Sequence, residues 1–290
     1  MGLQINTNIA AMNSYRNLAS TQSAMSKSLE KLSSGLRINR AADDAAGLAI
    51  SEGLRAQIGG TKQAIRNAQD GISVAQTAEG ALTETTSILQ RMRDLAVQSA
   101  NGGSVDDNAK AASQKEFAQL QTELDRIAKT TKFGSQALLD TTYKGDFQVG
   151  ANNTADDRIT IDLSAATITA NGVADGSGIK ALDSTGLGVV ADDISTQAGA
   201  QTAMDNIDKA LKGVSNVRAD LGAVQNRFEH TINNLSVASE NLSAAESRIR
   251  DTDMAQEMTS FTRSQILQQA GVSMLAQANQ MPQSVLKLLG

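Results

Sequence analysis

The sequence predicts a mainly α protein: a long antiparallel coiled-coil helical rod with a small β-hairpin or irregular insertion. Three observations predict it. Apolar residues recur at steps of three and four over long stretches at both ends of the chain. The 290 residues hold one proline, Pro282, where about 5% is usual, so almost nothing interrupts a helix. Aromatic residues are 2% of the chain, with no Trp. A core of large rings is therefore not available, and small residues suited to close helix packing take their place.

Near the N-terminus, Ala11, Tyr15, Leu18, Gln22, Met25, Leu29, Leu32 and Leu36 form a heptad seam with one polar slot. Gly35 marks a helix stop and Asn39 a short connection. Asp43 and Asp44 then precede a helix expected from 44 to 100, because an aspartate there caps free N–H groups and suits the positive end of the dipole. Its seam reads Ala68, Gly71, Ala75, Ala78, Leu82, Thr85, Leu89, Met92 and Ala96. At about 1.5 Å per residue it spans roughly 85 Å, which is why a rod is expected.

Asn101-Gly102-Gly103 ends that helix. Ser104, Asp106 or Asp107 can cap a third, from 107 to 131, with Phe117, Leu120, Leu124 and Ile127 on its apolar face. A turn so short implies an antiparallel pair. From 140 to 195 Gly, Thr, Asp, Asn and Ser become frequent. Residues 158–163 alternate with period two, which predicts a half-buried strand, with Phe147 and Val149 on its hairpin partner.

Positions 204, 207, 211, 214, 218, 221, 225, 228, 232, 235, 239, 242, 246 and 249 then alternate steps of three and four without a slip, a sustained coiled-coil pattern. Asp251-Thr252-Asp253 marks a new helix start. The last helix carries Leu267, Gly271, Met274, Ala278, Met281, Val285 and Leu288 in the same rhythm, and Pro282 is expected to bend it.

A seam has to be buried. The first and last helices are each other's natural partners, yet two Ala- and Gln-rich helices bury little area, and at ~25 cal/mol per Å² their contact does not offset the ordering entropy. The ends are expected to be loose in the monomer and to fold among other copies. Leu18, Met25, Leu29, Leu32 and Leu36, with Leu267, Met274, Met281, Val285 and Leu288, are the candidate polymerisation seam. The expected domains are an inner coiled coil (1–43 with 251–290), an outer helical domain (44–140 with 196–250) and a short variable β-rich insertion (141–195).

Composition excludes much else. There is no cysteine, which removes disulfides, thiol catalysis and cysteine metal sites. The net charge is −5 with no basic stripe, so no nucleic-acid partner is expected. No apolar run is long enough for a membrane span. The first residues lack the basic start and apolar core of a signal peptide. One histidine, His230, lies on the coiled coil, where it cannot anchor a catalytic triad. No HExxH occurs. The pairs at Asp43-Asp44, Asp106-Asp107, Asp156-Asp157 and Asp192-Asp193 read as caps, not metal ligands. No enzyme, cofactor or metal is expected.

Several motifs carry a family resemblance. INTNIAAMNSYRNL (5–18), SLEKLSSGLRINRAADDAAGLAISEGLRAQI (28–58), NAQDGISVAQTAEGALTE (67–84), LGAVQNRFEHTINNL (221–235), NLSAAESRIRDTDMAQEM (241–258) and ILQQAGVSMLAQANQMPQSVLKLLG (266–290) resemble bacterial flagellin. The match spans about 3–140 and 200–290, with a weak point at FQVGANN (147–153). The resemblance implies a filament subunit with its termini around the channel, a reduced outer region, and unfolded export through the flagellar type III apparatus to the extracellular filament. It implies an export chaperone on about 251–290, and cap and hook-associated proteins as further partners. It also implies recognition by the host Toll-like receptor for flagellin, through Leu89, Gln90, Arg91, Arg93, Leu95, Gln98 and Glu116; Asp94 stands where glutamate is commoner. A hook–filament junction protein shares terminal motifs. A soluble helical signalling bundle is the alternative from another class.

Overall fold

A computed structural model describes residues 8–103, 106–140, 142–164 and 182–289, with backbone only for 281–289. Among them are five helices: α1 (Ile9–Ser34), α2 (Ala45–Ala100), α3 (Asp107–Thr130), α4 (Gln197–Arg250) and α5 (Met254–Leu289). Two antiparallel hairpins complete the fold, β1 (Lys132–Phe133) with β2 (Gln136–Ala137), and β3 (Lys144–Gln148) with β4 (Arg158–Asp162). The protein is mainly α. It divides into two compact units, residues 1–58 with 240–290, and 59–239.

Helix boundaries follow from capping. Asn8 accepts a hydrogen bond from the Ala11 N–H, and Gly35 ends α1 in the left-handed conformation (φ 74°), donating its N–H to Lys31 at 2.8 Å. Only glycine enters that region without strain. Of the Asp43-Asp44 pair, Asp44 caps α2 by accepting from the Gly47 N–H at 2.8 Å. Asp43 instead closes the preceding loop. Its carboxylate accepts from the backbone N–H groups of Arg40 and Asn39, and these hold its pKa below the ordinary carboxylate value. Asp106 caps α3 and Asp253 caps α5.

In the terminal unit α1 and α5 pair antiparallel. Gln22 meets Gln268, Lys31 approaches Glu257 at 3.8 Å, and Leu18 lies over Gly271. The chain leaving α1 runs beside the start of α5: Arg37 N–H donates to Arg250 C=O at 2.6 Å, and Thr252 N–H to Gly35 C=O at 3.0 Å. Arg250 reaches Glu52 at 2.8 Å. α5 stays helical through Pro282; the proline is carried inside the helix and does not end it.

In the second unit the core lies among α2, α3 and α4. All nine α2 seam positions from Ala68 to Ala96 are buried. Against them α4 places Ile207, Val214, Leu221 and Phe228, and the small residues Ala200, Ala203 and Ala210 widen this face beyond a two-position stripe. α3 adds Phe117 and Leu124. The β3–β4 hairpin inserts Ile159 and Ile161, and Phe147 meets Phe228 edge-on, with centroids 5.7 Å apart. Leu182, Leu187, Val189 and Ile194 are buried in the same core, so the stretch after the hairpin is built in by packing. Polar clamps hold it: Gln121 donates to Val189 C=O at 2.6 Å, and Gln114 accepts from Ile194 N–H at 2.7 Å.

Candidate assembly surface of the terminal helices

The stripe by which α1 faces α5 is set by which residues lose exposure. On α1 these are Ala11, Ser14, Leu18, Thr21, Met25, Ser28 and Leu32; on α5 they are Glu257, Phe261, Ser264, Gln268, Gly271, Leu275 and Ala278. Both runs keep heptad spacing. Half of these residues are polar or small. Among the described side chains of the pair, only Ser28 and Ala278 are fully buried. Contact with one partner helix therefore hides little apolar surface.

The large apolar residues stand one position aside. Of the candidate seam, Leu18, Met25, Leu32 and Leu36 are half-buried. Leu29, Leu267 and Met274 are 57%, 53% and 58% exposed. Met281, Val285 and Leu288 lie in α5 with side chains outside the described residues. Further exposed apolar residues that the apolar spacing did not single out are Ile9, Met12, Met258, Ile266 and Val272; Tyr15, a seam position by spacing, is exposed as well.

Heptad geometry sorts these residues onto sides. In an antiparallel pair the e positions of the two helices share one side and the g positions share the other. Tyr15, Leu29, Met258 and Val272 fall at e, while Leu267 and Met274 fall at g. Ile266 lies on the back of α5. Exposed apolar residues thus stand on both flanks and the back of α5, among exposed polar residues such as Arg263, Gln265 and Gln269, and beside Ile266 a shallow depression lined by Met258, Thr262 and Leu267 opens to solvent.

The second residue set, on α2 and α3, is part core and part surface. Leu89 and Leu95 are buried. Gln90, Arg91, Arg93, Gln98 and Glu116 are exposed. Arg91 Nη2 lies 2.7 Å from Glu116 Oε1, joining the two helices. Arg93 instead pairs with Asp208 of α4 at 2.7 Å, and that carboxylate raises its pKa further above the ordinary arginine value.

Residues 5–144 match the bacterial flagellin N-terminal helical region, and residues 204–289 match the bacterial flagellin C-terminal helical region. The flagellin of Halalkalibacterium halodurans is 55% identical over 286 residues, covering 98% of this chain and 99% of that one. The flagellin of Bacillus subtilis is 51% identical, covering 99% of this chain and all of its own length. A crystal structure of Bacillus cereus flagellin covers 62% of this chain and 94% of its own at 29% identity, with a TM-score of 0.46. The class is a helical structural protein, not an enzyme. The chain belongs to the bacterial flagellins, the subunits that polymerise into the flagellar filament.

Proposed function

We propose that the subunit assembles by burying the outward apolar surface of α5 and the Tyr15–Leu29 side of α1 against neighbouring copies. The observation that carries this is the set of exposed apolar residues on the flanks and back of α5, Met258, Ile266, Leu267, Val272 and Met274. Large apolar side chains left in water on several sides of a helix mark further burial sites, and α1 covers one side only. The two flanks of the pair also differ in composition. A contact of one flank against the other on the next copy is heterologous, and heterologous contacts that do not close into a ring give open helical polymers.

The same surface bears on what happens before assembly. It invites aggregation, so a chaperone covering about 251–290 during unfolded type III export to the extracellular filament fits it, as do cap and hook-associated proteins that guide its burial. The division into an inner coiled coil (1–43 with 251–290) and an outer helical domain (44–140 with 196–250) is part of the same reading and rests on the resemblance of the two ends, while thin coverage extends further, through 58 and from 240.

Heat depolymerisation followed by seeded regrowth, viewed in the electron microscope, tests the reading. Filaments should regrow from the seeds. Chains that stay monomeric at high concentration with seeds present would sink it.

A second reading concerns the host Toll-like receptor for flagellin. What supports it is that Gln90, Arg91, Arg93, Gln98 and Glu116 are exposed together on α2 and α3, with Arg91 and Glu116 forming one polar feature.

A further inference from the structure

We infer that Asn8 is a positioning residue that holds α1 in register on α5 at the end of the pair far from Gly35, by clasping a backbone carbonyl that Pro282 leaves without a helical donor. The inference rests on the filament reading, since register matters only if every subunit must present the same flanks.

An α-helical N–H bonds to the carbonyl four residues earlier. Residue 282 is proline and has no N–H. The carbonyl of Ala278 therefore lacks its donor at i+4, and Ala278 is 6% exposed, which keeps water from serving in its place. The side-chain amide of Asn8 fills the gap: Nδ2 donates to Ala278 C=O at 2.8 Å. The other end of the same amide caps α1, with Oδ1 accepting from the Ala11 N–H at 3.0 Å. One side chain thus meets the open donors at the start of one helix and an open acceptor deep in another.

This contact specifies register in a way the facing stripe does not. The stripe is built of small and polar residues at heptad spacing, and a slide of seven residues would bring similar residues together. The chain contains one proline, so α5 contains one carbonyl orphaned in this manner. A slide of seven would place Asn8 opposite Gly271, whose carbonyl has the N–H of Leu275 four residues on. At the other end of the pair the backbone bonds of Arg37 with Arg250 and of Thr252 with Gly35 fix the register; between the two ends, Gln22 with Gln268 is exposed and Lys31 approaches Glu257 at only 3.8 Å.

The test is a double-mutant cycle on full-length protein, read as the critical concentration for seeded filament growth. Asn8→Ser keeps a good helix cap but cannot reach Ala278. Pro282→Ala returns an N–H to the Ala278 carbonyl. N8S alone should raise the critical concentration about fivefold, the size of one lost hydrogen bond. On the P282A background the same N8S change should have little further effect. Equal effects of N8S on both backgrounds, or none on either, overturn the clasp. Wild-type protein that fails to grow on seeds would count against the filament reading itself. Should P282A not assemble, hydrogen exchange on wild-type and N8S filaments reads the same contact. Exchange should quicken around 9–14 and 275–280 and stay unchanged near 20–30; unchanged exchange around 275–280 overturns the clasp.

Discussion

Phe228 lays its ring over Gly71 so closely that a β-carbon at residue 71 would sit 2.5 Å from the ring's Cζ. The ring cannot retreat easily, because Phe147 stands edge-on to it at an interplanar angle of 89°. Gly80, on the same helix, has nothing within 4 Å of its would-be β-carbon. The two glycines should therefore respond to alanine with opposite signs. Gly80→Ala gains helix propensity and should stabilise by about 0.5–1 kcal/mol. At residue 71 the same gain meets overpacking of about 1–3 kcal/mol, leaving a net loss of up to about 2.5 kcal/mol. Urea unfolding followed by circular dichroism measures both, and stabilisation by Gly71→Ala would contradict the packing described.

How much of this was legible in the sequence differs between the two units. The α2 seam was, residue for residue, since its apolar positions face a wide partner surface and no second apolar stripe competes. The aspartate caps at Asp44, Asp106 and Asp253 were also readable, because capping is a local interaction. The contact stripe of α1 and α5 was legible only in part: Ala11, Leu18, Met25, Leu32, Gly271 and Ala278 lie on it, and Tyr15, Leu29, Leu267 and Met274 do not. Spacing favours the large residues, so it drew a line through Tyr15, Leu29, Leu267 and Met274, whereas one partner helix takes the smaller neighbours Ser14, Ser28, Ser264 and Gln268. When a helix carries more than one apolar stripe, spacing does not say which one the chain itself covers. The packing of Leu187, Val189 and Ile194 escaped for another reason: an irregular segment has no period to read, and its place is set by polar clamps from Gln114 and Gln121.

Asp192 gives the second unit a pH dependence of definite sign. Its side chain is buried, Oδ1 accepts from Asn206 Nδ2 at 2.8 Å, and Oδ2 has no partner among the described residues. Desolvation pushes its pKa above the ordinary value, with the Asn206 hydrogen bond pulling the other way. A raised folded value means the folded unit prefers the protonated acid. That stabilisation is fully present below the unfolded value of about 3.9 and is lost as pH rises through the folded one. Asp192→Asn removes the buried charge and should raise the thermal midpoint at pH 7 by about 2–4 °C. Its advantage over wild type should shrink as the pH is lowered toward 4. A difference that is the same at both pH values would show that the carboxylate is ionised in neither or that its charge is already compensated.

Outward residues of the terminal pair should matter to the polymer and little to the isolated chain. Leu267→Ser and Met274→Ser each remove apolar side chain from positions already more than half exposed, so unfolding of the monomer should move by no more than about 0.5 kcal/mol. Assembly can bury only the half of each side chain still exposed, so each substitution forfeits about 0.8–1.6 kcal/mol in the filament, which corresponds to about a four- to fifteenfold higher critical concentration. Removal of residues 251–290 should abolish polymerisation altogether. Sedimentation of seeded mixtures separates filament from monomer, and normal filaments from the truncated chain would show that α5 is dispensable.

The Arg91–Glu116 pair allows a receptor role to be separated from a structural one. Both side chains are about half exposed, 55% and 45%, and an ion pair so placed contributes about 0–1 kcal/mol to stability. Arg91→Ala should therefore leave the thermal midpoint almost unmoved. An arginine at the centre of a protein interface is often worth 2 kcal/mol or more, so activation of receptor-bearing cells by depolymerised protein should fall by at least about tenfold. Glu116→Ala frees the guanidinium that it holds in place and should produce a smaller loss of the same kind. Leu89 supplies the contrast, since it is fully buried: Leu89→Ala should cost about 2–5 kcal/mol of stability and reduce activation only as far as it unfolds the chain. If depolymerised wild-type protein fails to activate such cells, or Arg91→Ala leaves the response intact, the exposed face of α2 and α3 has no part in that recognition.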